Sequence, residues 1–172
     1  LVMLLLLLLL LLLRLLLFVF VLMLMLLFIF MWLNLGVLPF WFILIIFPQS
    51  QICRVFITSI FPFIILSFAY GYLTYVLFND GYDFIQNFEL YLGLDSVIYL
   101  FNDKSFLILF WTHFLSINLF CGGWIVKDSQ KFGINKIIMS FPILITYFIG
   151  PIGLTLYWII RIFYAKRINL YD

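Results

Sequence analysis

Charge is the scarcest property of this chain. Only 9% of its 172 residues are Asp, Glu, Lys or Arg, 9 basic and 7 acidic, where a soluble domain carries roughly 25%. So few charges cannot clothe one core in water-facing surface, and a soluble globular fold is excluded. Histidine and cysteine are equally thin: His113 stands alone, and Cys53 and Cys121 form no CxxC pair. A disulfide scaffold, a zinc site and a haem ligand set are therefore excluded, and no metal is expected. The net charge of +2 comes with no basic run interleaved with aromatics outside the last dozen residues, so nucleic acid is not an expected partner. Neither a P-loop, a nucleophile elbow, an HExxH nor a GxGxxG occurs, and no catalytic residue is assigned.

What is present is apolar: 68% hydrophobic and 22% aromatic residues, with 23 Phe and 10 Tyr, and a mean hydropathy of +1.32. This is the composition of an integral membrane protein. Phe, Ile, Tyr, Asn and Lys have AT-rich codons, alanine occurs only at Ala69 and Ala165, and the chain opens on Leu1. Together these point to an organellar gene, that of a protist mitochondrion such as a ciliate's.

A helix crosses about 30 Å of hydrocarbon with about 20 apolar residues, because its backbone polar groups are satisfied within the segment. Residues 1–47 carry Arg14 as their single charge and are about twice that length. We place a first crossing at 23–47, with Pro39 as a tolerated kink, and a hydrophobic helical extension at 1–22. That extension has no positive residue before its Leu run and no small-residue cleavage site after it, so it reads as a retained segment rather than a signal peptide. Arg14 within lipid would cost about 2.5 to 3.5 kcal/mol and should reach headgroups or a partner subunit.

The second span is expected at Cys53–Phe78, between Pro48-Gln49-Ser50-Gln51 and Asn79-Asp80-Gly81. The connection 79–105 carries Asp80, Asp83, Glu89, Asp95 and Asp103 among apolar residues and should lie at the interface, partly helical. The third and fourth spans are expected at 106–126 and 137–164. The fold class is thus all-α, an integral membrane bundle of about four transmembrane helices, in one domain over 23–172. In that arrangement Arg54, Lys127, Lys131 and Lys136 face one side and Lys104, Arg161, Lys166 and Arg167 the other, so the positive-inside rule returns a tie.

Polar residues inside the spans are the candidate site. His113, Ser116 and Asn118 lie in the third span, with Gly122 and Gly123 suggesting close packing on a neighbour. His113 is either an acid/base or ligand group in a buried pocket, or a side chain hydrogen-bonded across helices. In the fourth span Pro151 lacks the N–H that would bond the carbonyl of Tyr147, so Gly150, Pro151 and Gly153 predict a kink, with Thr146 beside it. Such a break either lines a cavity or lets helices pack. Arg161, Lys166 and Arg167 read as headgroup or partner contacts, and Cys121 as a packed cysteine.

The run Trp111-Thr112-His113 through Asn118-Leu119-Phe120-Cys121-Gly122-Gly123-Trp124 to Asp128, followed by Pro142 and by Gly150-Pro151-Ile152-Gly153-Leu154-Thr155-Leu156-Tyr157 with Arg161, resembles the ABA4-like family of small membrane proteins. Asn34-Leu35-Gly36-Val37-Leu38-Pro39-Phe40-Trp41 and Pro48 are similar to that family's first span. The family includes plant proteins needed for neoxanthin formation, so the resemblance implies a multi-span fold and a hydrophobic isoprenoid as ligand or substrate. The chain departs from the family pattern at Asn118, where Asp is usual, and at Gly123, where Arg is usual. Two functions follow as expectations. The first is a non-catalytic accessory subunit of a mitochondrial inner-membrane respiratory complex, packed against other membrane subunits and lipid, with no cofactor and phospholipid as its expected small-molecule contact. The second is an isoprenoid or carotenoid-type membrane enzyme or binding protein, with His113, Asn118 and Thr146 facing a cavity around Pro151.

Overall fold

The structure is a computed structural model that describes residues 2–169. Six α-helices follow one another: α1 Val2–Ile46, α2 Phe61–Asn79, α3 Leu94–Asn102, α4 Lys104–Lys131, α5 Lys136–Phe148 and α6 Gly150–Ala165. A π-helical turn, Cys53–Ile57, precedes α2, and a 3-10 stretch, Phe84–Tyr91, precedes α3. Among the described residues there is no strand, and the all-helical membrane bundle expected from the sequence is what forms.

The Leu run and the first crossing are one helix. The Asn34-Leu35-Gly36 step does not interrupt it, because the Asn34 amide donates to the Phe30 carbonyl at 2.7 Å and so satisfies itself on the helix. At 1.5 Å per residue α1 is about 68 Å long. Its side chains from Leu6 to Val21 are exposed, and burial begins near Leu26.

Helix ends follow their local chemistry. Asp103 caps α4, its carboxylate accepting from the Phe106 N–H at 2.7 Å, and Asn135 caps α5 by accepting from Ile137 at 2.9 Å. Gly133, at φ +64°, supplies the left-handed turn after α4. The expected second span, 53–78, begins later than the sequence suggests: Pro62 has no N–H for a continuing helix and instead sits in the first turn of α2.

Contacts fix the directions. Ser140 of α5 donates to the Ile45 carbonyl at 2.9 Å, and Gln130 of α4 to Pro48 at 2.9 Å, so α1 and α4 end at the same level and run parallel. Phe63 meets Phe120 and Tyr70 meets His113, so α2 runs against α4. Val37, Trp41 and Leu44 of α1, Leu73 and Leu77 of α2, and Leu119, Ile125 and Val126 of α4 make the core. Gly122 admits the Trp41 ring, which would stand 2.8 Å from a Cβ there.

The last expected span differs. Three helices among the described residues are long and apolar enough to cross a membrane, Leu6–Ile46, Phe61–Asn79 and Lys104–Lys131. The stretch 137–164 is instead two helices, divided at Ile149, whose φ and ψ are −140° and 82°. They fold back on one another. The start of α5 and the end of α6 both meet the last turns of α4, Met139 against Ser129 and Arg161 against Asp128, while the joint at Gly150 lies against Asn118 in the middle of α4. The physical reason is the pair of small residues: a Cβ at Gly153 would fall on the backbone of Thr146, so the helices can pack this closely only with glycine there. The expected kink at Gly150, Pro151 and Gly153 is a hairpin turn. α5 is about 20 Å long, shorter than the hydrocarbon thickness, so in a membrane the pair would enter and leave at one face as a re-entrant hairpin.

Candidate functional site

The polar side chains expected to share one site occupy three places. His113 and Asn118 are five residues apart on α4, which puts them about 140° apart around the helix. Asn118 is buried and His113 exposed. Ser116 lies between them and donates to the Thr112 carbonyl at 2.8 Å, its hydrogen bond satisfied within the helix.

The first place is the joint of the hairpin. Asn118 presses its side-chain oxygen against Gly150, and its Nδ2 is buried without a partner among the described residues. Thr146 is fully buried and donates to the Pro142 carbonyl at 2.8 Å, one turn back in α5, so its hydroxyl is satisfied within its own helix. The Trp41 and Tyr147 rings meet edge to face at 5.3 Å beside it. Asn118 and Thr146 are therefore packed against the glycines of the turn, and His113 is not with them.

The second place is a cleft of about 440 Å³ at the α4 N-terminal end, lined by Tyr70, Phe88, Tyr91, Phe106, Leu109, Phe110 and His113. Three elements build it. α2 brings Tyr70, whose ring centroid lies 6.5 Å from that of His113; the 3-10 stretch brings Phe88 and Tyr91; α4 brings the rest. His113 is nine residues into α4, about 14 Å along its axis. The cleft gives an amphiphilic ring system aromatic walls with one imidazole among them.

The third place lies at the opposite end of α4, and the sequence reading missed it. Asp128 accepts from Arg161 Nε at 2.6 Å and from the Tyr157 hydroxyl at 2.7 Å, both on the same carboxylate oxygen. Arg161 is 2% exposed. It also donates from Nη1 to the Asn169 carbonyl at 2.9 Å and stands 4.8 Å above the Phe132 ring. It is thus a buried partner within the chain and does not reach headgroups as expected. Arg167 shares the Phe132 ring at 5.3 Å, Lys166 is exposed, and Arg14 is exposed on the long free stretch of α1. The spacing of Tyr157 and Arg161, four apart on one helical face, was a usable signal; Asp128 could be matched to them only once the hairpin returned α6 to α4.

Neither cysteine is exposed, and burial pushes the Cys53 thiol, outside the spanning helices, up to about 11, which makes it a poor nucleophile. No group of three or more His, Cys, Asp or Glu that could hold a metal occurs among the described residues.

A family model described as ABA DEFICIENT 4-like matches residues 28–157. Protein ABA DEFICIENT 4, chloroplastic, of Arabidopsis thaliana is 24% identical over 129 residues, covering 73% of this chain and 57% of that protein. The chain thus spans a little over half the length of that curated relative. No solved structure matches.

Proposed function

The chain belongs to the ABA4-like family, and from that membership we propose that it is a membrane protein binding an isoprenoid-class ligand, whose polar ring end sits in the cleft of His113. One observation carries the reading: the chain's single histidine is in a cleft of about 440 Å³ whose other described walls are Tyr70, Phe88, Tyr91, Phe106, Leu109 and Phe110. Clefts of this size and character suit rings held by stacking, with one polar group fixing orientation. The imidazole offers a donor and an acceptor to a hydroxyl or carbonyl oxygen. The isoprenoid class comes from the family resemblance, and the departures at Asn118 and Gly123 lie away from this cleft. The test is to purify the protein in mild detergent, extract it with organic solvent and identify what elutes. An isoprenoid retained by the native chain and lost from His113→Ala and Tyr70→Ala supports the reading. A folded native chain that carries none, even after incubation with carotenoid and quinone, sinks it.

A second reading, an accessory subunit of a larger membrane assembly, is favoured by α1. About half of this 68 Å helix extends past the bundle as bare leucine and phenylalanine, with Arg14 among them. Such a surface is stable only against lipid or another protein. A respiratory complex of the mitochondrial inner membrane fits the AT-rich composition, whereas the Arabidopsis relative is by its name a chloroplast protein. Migration on a native gel, with the co-migrating proteins identified by mass, distinguishes an assembly of either organelle from a free protein.

A further inference from the structure

We propose that the cleft beside Lys127 binds an anionic phospholipid, with its phosphate at the ammonium and an acyl chain between α2 and α4. This site is separate from the His113 cleft and lies near the other membrane face.

The cleft holds about 540 Å³ between the turn at 58–60 and α4. Ile57, Ile60, Phe63 and Phe120 form apolar walls, and the two phenylalanines meet edge to face at 6.1 Å, which makes that wall stiff. Gly123 leaves the floor open, since nothing lies within 4 Å of where its Cβ would stand. Lys127 supplies the only charge in the lining. It is exposed and has no carboxylate partner among the described residues, because the neighbouring acid, Asp128, points a different way around the helix to Arg161 and Tyr157.

The chemistry of the cleft selects the ligand. A neutral lipid would cover the walls and leave the ammonium without a counter-charge. A free anion would meet the ammonium and leave the walls bare. An anionic phospholipid does both, and the surroundings favour it: Arg54, Lys131 and Lys136 lie at this same face, and the hairpin returns α6 so that Lys166 joins them, which attracts acidic headgroups.

Native mass spectrometry of the full chain, titrated in non-ionic detergent with phosphatidylglycerol, phosphatidylcholine and inorganic phosphate, tests this. One phosphatidylglycerol should bind in preference to phosphatidylcholine, and inorganic phosphate should not displace it. Lys127→Gln should weaken that binding about five-fold, the worth of one lysine near an anionic surface. Gly123→Leu should fill the floor and remove it, and Lys136→Gln, outside the cleft, should leave it unchanged. Equal binding of the two lipids, displacement by inorganic phosphate, or indifference to both Lys127→Gln and Gly123→Leu would overturn the proposal.

Discussion

At the scale of single residues, the most consequential contact is the one between Asp128 and Arg161. Both are withdrawn from water, and the carboxylate also receives the Tyr157 hydroxyl. Removing one charge of a buried pair leaves the other uncompensated, which costs about 3 to 5 kcal/mol, whereas replacing both by apolar groups of similar volume is often neutral. Arg161→Leu alone should therefore destabilise the protein by that amount, and the double variant Asp128→Leu, Arg161→Leu should recover most of it. Thermal unfolding of the native chain, Asp128→Leu, Arg161→Leu and the double variant in one detergent measures the coupling. Additive losses would mean that the two side chains act separately. Both residues were visible in the sequence as members of the family signature, the acid just past the Gly-Gly-Trp run and the base four residues after Tyr157. Their meeting was not, because they are 33 residues apart and come together only if the chain reverses between them.

At the scale of elements, that reversal is what the sequence concealed. Apolar length and a central Gly-Pro-x-Gly are shared by a kinked crossing and by a tight hairpin, since both leave the same backbone groups without helical partners. What separates them is close approach, and the two glycines differ in it. The obstacle to a Cβ at Gly150 is the side chain of Asn118, while at Gly153 it includes the backbone of Thr146. Gly150→Ala should then cost about 1 to 3 kcal/mol as overpacking and be rescued by Asn118→Ala, which removes the obstructing amide. Gly153→Ala should be at least as damaging and should not be rescued by Thr146→Ala, because the backbone remains. Denaturation of the singles and doubles decides it, and rescue at 153 by Thr146→Ala would show that the helices are not packed this tightly. Other elements were readable from local chemistry alone: the partial helicity of the 79–105 connection, and α4, whose ends extend past 106–126 to the Asp103 cap and the Gly133 turn.

At the scale of the whole molecule, the hairpin changes the charge count that counting loops left tied. With α6 returned to the face where α1 and α4 end, Arg54, Lys127, Lys131, Lys136, Arg161, Lys166 and Arg167 share one side, against Lys104 and the more distant Arg14. The positive-inside rule then assigns the first face to the side from which the protein is inserted, and the acidic segment with Asp80, Asp83, Asp95 and Asp103 to the other. An even number of crossings would put the residues after α6 on the acidic side; three crossings and a re-entrant pair put them on the basic side. In a background with Cys53 and Cys121 replaced by alanine, a membrane-impermeant thiol reagent applied to sealed vesicles of one orientation should label Lys136→Cys and Ile168→Cys together, and Asp95→Cys only after the vesicles are opened, or the reverse in inverted vesicles. Labelling of Ile168→Cys together with Asp95→Cys instead would mean that the 137–164 segment crosses the membrane, and it would separate Arg161 from Asp128. The same side assignment bears on the lipid at Lys127, because an anionic headgroup is available there only if the leaflet at the basic face contains one.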